Sequence, residues 1–268
     1  MSTATRTVTH TSTGTLAPLL PGTVALVGGG PGEAGLMTVA GRAAVEQADV
    51  LLVDHLAPSE ALGWAPSDAE IVDVGKLPRE AFTPQESINA LLVQHARAGR
   101  RVVRLKGGDG FVFGRGMEEL EACAQAEVSV RVIPGVTSSV AVPALGGIPV
   151  THRGLVQGFS VISGHVPPGH PDSTLDFEAL ARSGTTLVVL MGVATLSAIT
   201  AALVANGLDP ATPAAVVARG GHPDQQVVGA TVADIAARAA HVEPPAITVI
   251  GHVAAFAATD TPVLEEVI

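Results

Sequence analysis

The chain has little cysteine, no excess of basic charge and no long apolar run, and each shortage excludes a class of protein. Cys123 is its only cysteine, so a disulfide framework and paired-cysteine redox or zinc motifs are excluded. A chain so poor in cysteine is typical of a reducing compartment, and we expect a cytoplasmic protein. Because Cys123 falls within a helical pattern, we expect it to pack in a core rather than to act as a nucleophile.

Charge and hydropathy exclude two further classes of partner. The 15 Lys and Arg residues stand against 25 Asp and Glu residues, a formal net charge of −10, which is the wrong sign for general binding to nucleic acid or anionic lipid. No apolar run approaches the roughly 18 residues of a membrane span, and the N-terminal residues lack the order of a secretory signal. We therefore expect a soluble protein with neither a nucleic-acid nor a membrane partner.

Several signature motifs of enzymes are also absent from the sequence. There is no GxSxG elbow, Walker loop or zinc-ribbon spacing, which removes the commonest hydrolase and nucleotide-triphosphatase interpretations. The histidines of the second half, His165 and His222 among them, form no HxxxH or HExxH pattern. The sequence therefore predicts no metal site.

The chain does contain a long alternation of short apolar runs and helical patterns. Hydrophobic residues make up 47% and charged residues 15%, which suits an α/β protein whose strands are covered on both faces. The alternation predicts a largely parallel sheet in a domain of residues 21–153. Because Val227 closely follows the strand at Ala214, it predicts a mixed sheet in a second domain of residues 154–268. Residues 1–20 carry threonine at every odd position from 3 to 15, and we predict a disordered tail there.

The segment RLKGGDGFVFGRGMEE, residues 104–119, is the most informative stretch for function. A β-branched strand stops at Gly107-Gly108-Asp109 before a helical pattern opens at Met117, and ligands bind at strand ends of this kind. Adjacent glycines let backbone amides approach a small molecule, while Asp109 adds an acceptor. A lone GGD is more often an ordinary tight turn, so its interpretation depends on the residues that accompany it.

A nicotinamide oxidoreductase is a competing hypothesis. Gly30-x-Gly32-x-x-Gly35 formally satisfies the dinucleotide fingerprint, and Asp54 ends the next strand, where a ribose-binding acid would stand. Pro31 opposes this interpretation, because proline removes a backbone donor where a pyrophosphate requires amides.

Other strand ends carry side chains suited to a site. Asp54 ends one strand and Lys76 follows another, so both are candidates for an acid or a base at one sheet edge, although a surface lysine is the default interpretation. Residues 134–139 read PGVTSS, and three consecutive hydroxyl residues exceed what one helix N-cap requires. Ligand contact and helix capping stay equally open for them.

Nine segments, taken in chain order, resemble those of the tetrapyrrole methyltransferases. They are VALVGGGPGEAGLMTVAG, DVLLVDHL, VGK, RLKGGDGFVFGRGMEE, VIPGVTSSVAVPALGGIPVTHR, SGH, LVVLMG, ARGGHPDQQ and PAITVIGHV. They are spread along residues 24–253, and the resemblance extends over nearly all of that range. RLKGGD together with GIPVTHR is similar to the members that act on uroporphyrinogen III. The resemblance implies two α/β domains with the active site in the cleft between them, and a homodimer.

The resemblance also implies an activity. Methyl groups would pass from S-adenosylmethionine to two pyrrole carbons of uroporphyrinogen III, giving precorrin-2 by way of precorrin-1 for sirohaem or cobalamin synthesis, without a metal. A methyltransferase for another precorrin and a non-catalytic tetrapyrrole-binding protein stay as alternatives. Asp54 matches the proton acceptor of the family, and Lys76 matches its proton donor or a partner for a substrate carboxylate.

The remaining site residues are also implied by the resemblance. The cofactor-binding residues are Pro31, Gly107, Gly108, Asp109, Val112, Thr137, Ser138, Met191 and Gly220. The basic residues that we select for the eight carboxylates of the substrate are Arg42, Lys76, Arg104, Lys106, Arg115 and Arg153. Some positions depart from the family pattern: Gly110 replaces a proline, Leu77 and His55 replace arginines, and Gly221-His222 stands where threonines are common. The lost arginines predict a weaker grip on the substrate carboxylates.

Overall fold

A computed structural model of the chain describes residues 16–75 and 84–257. The predicted tail up to residue 15, together with Lys76 and Leu77, lies outside the described residues. The chain divides into two compact units, Met1–Thr137 and Ser138–Ile268. No helix in the described ranges is both long enough and apolar enough to cross a membrane.

The first unit is built on a five-stranded sheet in which every neighbouring pair is parallel. Its strands are β1 (Thr23–Gly28), β2 (Val50–Val53), β3 (Glu70–Asp73), β4 (Val102–Lys106) and β5 (Ser129–Ile133). They lie in the order β3-β2-β4-β1-β5. The helices are α1 (Val39–Val45), α2 (Gln85–Arg97) and α3 (Gly116–Gln125), with short 3₁₀ helices at Ala34–Leu36 and Ser59–Trp64. The predicted parallel sheet is confirmed.

Continuous apolar strands form here because both faces of the sheet are covered. Alternate residues of β1 enter opposite cores: Ala25 and Val27 pack on one face, and Val24 and Leu26 on the other. Burial on both faces removes the polar alternation that a half-exposed strand would show. The helices α2 and α3 cover the second face, and Cys123 of α3 is fully buried in that core. Burial raises the pKa of the Cys123 thiol to about 11, so at neutral pH it is a packing group.

The structure differs from the predicted tail at its end, because residues 17–20 are held against the first unit. Leu19 is buried among the core residues of the first sheet, and its N–H donates to Oε1 of Gln47 over 2.9 Å. Arg131 donates to the carbonyl oxygens of Ala17 and Pro18. One apolar side chain and three backbone groups therefore fix a segment that composition alone assigns to the tail.

The ion pair of Asp49 and Arg101 ties the loop before β2 to the start of β4 and gives a pH-dependent prediction. Asp49 accepts from both the backbone N–H and the side chain of Arg101, and this side-chain hydrogen bond holds the pKa of Asp49 below its usual range. A lowered folded-state pKa stabilises the fold above the unfolded pKa of about 3.9, and the stabilisation is lost as the pH falls through the folded value.

We therefore expect Asp49→Asn to lower the free energy of unfolding by about 0.5–1 kcal/mol at pH 7, since the pair is partly exposed. The penalty should be smaller at pH 3 than at pH 7. Urea unfolding at the two pH values measures it. Glu127→Gln, which removes an exposed carboxylate from the same unit, is the matched control and should change little. A penalty that is equal at both pH values would show that the ion pair is not its source.

The second unit contains a mixed five-stranded sheet, as predicted. Its strands are β6 (Phe159–Ser163), β7 (Thr186–Leu190), β8 (Pro213–Ala218), β9 (Gln226–Thr231) and β10 (Ala246–Ile250). The order is β6-β7-β10-β8-β9, with β6 and β7 parallel and the other pairs antiparallel. The helices are α4 (Ser138–Leu145), α5 (Phe177–Arg182), α6 (Leu196–Ala205) and α7 (Ile235–Arg238), followed by a 3₁₀ helix at His252–Phe256.

The division between the units falls after residue 137 rather than at the predicted residue 153. Helix α4 packs on the second sheet, where Val142 and Ile148 share a core with Val217. The carbonyl oxygen of Leu145 accepts from the side chain of Gln225 over 3.0 Å. The break in the strand and helix alternation near residue 153 is therefore a loop inside the second unit, because the apolar face of α4 is already committed there.

Candidate active site

The carboxyl ends of β1, β4 and β5 lie side by side, and glycine lets their backbones touch. A Cβ built on Gly28 would lie 2.5 Å from the backbone N of Gly135, and one built on Gly135 would lie 2.6 Å from Cα of Gly28. Both would also press on the carbonyl oxygen of Gly108. Only glycine fits at Gly28 and Gly135, since any side chain would push the loops apart.

Hydrogen bonds then join the glycine loop after β1 to the GGD turn after β4. Gly30 and Gly108 exchange backbone hydrogen bonds of 3.1 and 2.6 Å, and the N–H of Gly29 donates to the carbonyl of Lys106 over 2.7 Å. These amides are bonded within the protein, and the role of Gly108 in cofactor binding stays a prediction. The same bonds weaken the oxidoreductase hypothesis, because a dinucleotide fingerprint presents its amides to the pyrophosphate.

Asp109 fastens the GGD turn to the neighbouring loop. Its Oδ1 accepts the N–H of Phe111 and its Oδ2 accepts the N–H of Gly135, each over 2.9 Å. A carboxylate has about four acceptor positions, so Asp109 keeps lone pairs for a ligand hydroxyl or ammonium group. Pro31 and Val112, both half-buried, add apolar surface in the same pair of loops. The acceptor and the apolar side chains fit a ligand that carries both polar groups and an aromatic base.

Asp54 follows β2 at the same sheet edge and belongs to a network of charged side chains. Its Oδ1 accepts from Nη2 of Arg104, and its Oδ2 lies 3.6 Å from Nζ of Lys106. The Asp54 side chain is 32% exposed, whereas Arg104 and Lys106 are only 1% and 3% exposed. Asp54 is therefore the member of the network that reaches solvent.

Arg104 and Lys106 were selected from the sequence for substrate carboxylates, and that role stays a prediction, but the structure buries both side chains. Both side chains are buried on the face of β4 that α2 and α3 cover, because residues 104 and 106 alternate with the apolar residues of that strand. Both donate to Oε1 of Glu119, each over 2.9 Å. Their positive charges are neutralised inside the unit rather than presented on a surface.

Glu119 and Gln85 are the members of the network that the sequence analysis missed. Glu119 is 0% exposed, and Nε2 of Gln85 donates to its Oε1 over 3.3 Å. The signal was present in part, since cations at two alternate positions of a buried strand require an acid on the covering helix. Which of Glu118, Glu119 and Glu121 faces the strand depends on how α3 packs, and the sequence does not state it.

The other predicted substrate cations lie on the surface of their units. Arg42 pairs with Glu46 and lies over the Trp64 ring, 4.9 Å from its centroid. Arg115 has a left-handed backbone (φ 57°) and grips Glu118 through two hydrogen bonds. Arg153 is exposed in the second unit. Their roles towards a substrate stay predictions, as does the role of Lys76.

In the second unit, the predicted residues Met191 and Gly220 follow parallel strands that end at the same sheet edge. Met191 comes after β7 with a left-handed backbone (φ 55°) and a half-exposed side chain. Gly220 comes after β8, where a Cβ would lie 2.7 Å from Cγ1 of Val142 in α4. Ser138 opens α4, while Thr137 is the last residue of the first unit. The predicted cofactor residues thus occupy the carboxyl edge of a sheet in each unit.

The described residues hold no group of three or more His, Cys, Asp or Glu side chains arranged for a metal ion. Residues 23–236 match the family model of the Tetrapyrrole (Corrin/Porphyrin) Methylases.

Two kinds of known protein are similar to this chain. Siroheme synthase 1 of Yersinia pseudotuberculosis is 47% identical over 232 residues, which are 87% of this chain and 49% of that protein. Uroporphyrin III C-methyl transferase of Thermus thermophilus has a solved structure that is 40% identical, with a TM-score of 0.73, over 86% of this chain and 92% of that one. A second structure of the Thermus protein, with the same identity and TM-score, is a complex with S-adenosyl homocysteine. The chain spans about half the length of the curated relatives it matches.

Proposed function

Because the chain belongs to the tetrapyrrole methylase family, we propose that it methylates two pyrrole carbons of uroporphyrinogen III with S-adenosylmethionine to give precorrin-2. The observation that carries the proposal is the likeness, over most of both chains, to the Thermus uroporphyrin III C-methyl transferase, which also binds S-adenosyl homocysteine. The likeness to a uroporphyrin III C-methyl transferase supports the proposed substrate. The complex of that protein with S-adenosyl homocysteine supports the proposed methyl donor.

The chemistry divides between the bound reactants and the residues of this chain. When bound, S-adenosylmethionine supplies a methyl group that a pyrrole carbon takes with its own electron pair, while the sulfur keeps the electrons of the broken bond. Methylated in this way, the tetrapyrrole carries a positive charge and must lose a proton from its ring system. Asp54 is the acceptor in our proposal, since its carboxylate is the solvent-exposed member of the network at the sheet edge. The loops after β1, β4 and β5 hold the reactants and exclude water.

Anaerobic incubation with uroporphyrinogen III and radiolabelled S-adenosylmethionine tests the function. We expect the label to appear first in a singly methylated and then in a doubly methylated tetrapyrrole, with S-adenosylhomocysteine as the coproduct. Folded protein that binds S-adenosylhomocysteine but returns unmethylated tetrapyrrole would refute the proposal. In a parallel incubation that supplies a later precorrin, label on that precorrin with none on uroporphyrinogen III would favour the alternative within the family. A calorimetric response to NAD would revive the oxidoreductase hypothesis.

A cytoplasmic location and a homodimer complete the proposal. The single cysteine supports a reducing compartment, and the family resemblance supports the dimer. Light scattering during gel filtration measures the oligomeric state, and the mass of one chain, 26.9 kDa, would contradict the dimer.

Asp109→Ala is expected to weaken the binding of S-adenosylhomocysteine by about tenfold or more. The substitution leaves the N–H groups of Phe111 and Gly135 without their acceptor and releases the turn, at a cost of about 1–3 kcal/mol. Calorimetry measures the affinity. Asp109→Asn keeps one acceptor oxygen and should lie between Asp109→Ala and the wild type. Equal affinity in all three proteins would remove Asp109 from the proposed cofactor site.

A further inference from the structure

The buried carboxylate of Glu119 lies one side chain away from Asp54. Arg104 connects the two acids, donating to Glu119 through Nε and to Asp54 through Nη2. Lys106 connects them a second time, with Nζ at 2.9 Å from Oε1 of Glu119 and 3.6 Å from Oδ2 of Asp54. Each cation is therefore shared between a fully buried acid and a partly exposed one.

The four side chains balance in charge when both acids are ionised, with two cations against two anions. Nη1 of Arg104 is also held, since it donates to the carbonyl oxygens of Leu52 and Leu105 at 3.3 Å. The guanidinium therefore has a fixed orientation, and its charge is strongly felt in the low-dielectric interior. How much of that charge acts on Asp54 depends on how much Glu119 already neutralises.

We propose that Glu119 is a positioning residue for the proton-accepting step, acting on Asp54 through Arg104 and Lys106. With Glu119 in place, the two cations orient the Asp54 carboxylate without holding it as their sole counter-ion. Without its negative charge, both cations draw on Asp54 alone, which disfavours the uptake of a proton by that carboxylate. This inference rests on the proposed function, and it adds to it a residue that does not contact the substrate.

A double-mutant cycle on turnover tests the proposal. Glu119→Gln keeps the shape of the side chain, and we expect it to lower kcat about tenfold while the affinity for S-adenosylhomocysteine changes less than twofold. In an Asp54→Asn background the same substitution should have almost no further effect, because the group through which it acts is gone. If the fold-loss of kcat in the double variant equalled the product of the two single fold-losses, the proposal would be overturned. A merely structural role of Glu119 would lower turnover in this way, independently of Asp54. Glu121→Gln, an exposed acid on the same helix, is the charge-matched control and should keep the wild-type kcat.

Two further measurements test the coupling between Glu119 and Asp54. Gln85→Leu withdraws one donor from Glu119 and leaves all four charges in place, so it serves if Glu119→Gln does not fold. We expect it to lower kcat about two- to threefold, again only when Asp54 is present.

Urea unfolding of the four proteins of the cycle needs no substrate. If the two acids are coupled, the unfolding midpoint of the double variant should shift by an amount that differs from the sum of the two single shifts. Additive shifts would refute the coupling. Failure of the proposed function shows separately, as wild-type protein without methylated product.

Discussion

Gly135→Ala is expected to abolish the binding of S-adenosylhomocysteine and to lower the free energy of unfolding by about 3 kcal/mol or more. The new methyl group would lie 2.6 Å from the backbone carbons of Gly28 and closer still to the carbonyl oxygen of Gly108. Neither neighbour can move alone, since Gly28 belongs to the β1 ladder and Gly108 is bridged to Gly30. The three loops of the candidate site would therefore have to separate together.

Urea unfolding followed by circular dichroism, with calorimetry for the ligand, measures both effects. Gly63→Ala is the matched control, because a Cβ at Gly63 meets nothing within 4 Å. We expect the control to bind normally and to be neutral or slightly more stable, as the unfolded chain loses freedom. A Gly135→Ala protein with wild-type affinity would mean that the contact of these loops does not shape the ligand site.

Asp54→Asn is expected to lower kcat by about 100-fold or more while leaving cofactor affinity nearly unchanged. Asparagine has almost the same shape and can still accept from Arg104, but it cannot take up a proton at neutral pH. Initial rates with labelled S-adenosylmethionine give kcat, and calorimetry gives the affinity for S-adenosylhomocysteine.

Asp68→Asn is the control for this prediction. Asp68 is exposed just before β3, at the amino ends of the strands, so its substitution should leave kcat unchanged. An Asp54→Asn enzyme within twofold of the wild-type rate would remove Asp54 as proton acceptor. A loss of cofactor binding with no change in the rate at saturation would instead assign Asp54 to the cofactor site.

Apolar runs sufficed to predict both sheets of the fold. Val24 to Val27 and Val50 to Val53 are continuous because each strand is buried on two faces, and that property is local in sequence. The division between the units was less accessible, since it depends on which sheet the apolar face of α4 covers. Val142 could have packed on either sheet, and only tertiary contact with Val217 assigns it to the second.

The candidate site also contains residues that the sequence predicts and residues that only the structure reveals. Asp54 and Asp109 stand at strand ends, where position along the chain suggests a role, and the resemblance named them both. The role proposed for Glu119 depends on the packing of α3 against β4, which brings its carboxylate to Arg104 and Lys106. A single sequence does not specify that packing. The burial of Lys106 was not predicted because lysine is usually exposed. A strand that buries two cations can be recognised only once their acidic partner is known. Polar networks inside a core are thus the part that required the structure.

The order of strands in the first sheet also bears on synthesis of the chain. β1 lies between β4 and β5, and Val24 pairs with Val102 and Val130, residues that the ribosome adds much later. An apolar strand therefore waits without partners until most of the first unit has been made, which exposes it to aggregation and to chaperones. Within this sheet, β1 gains its second neighbour only when β5, the last strand of the sheet, has left the ribosome.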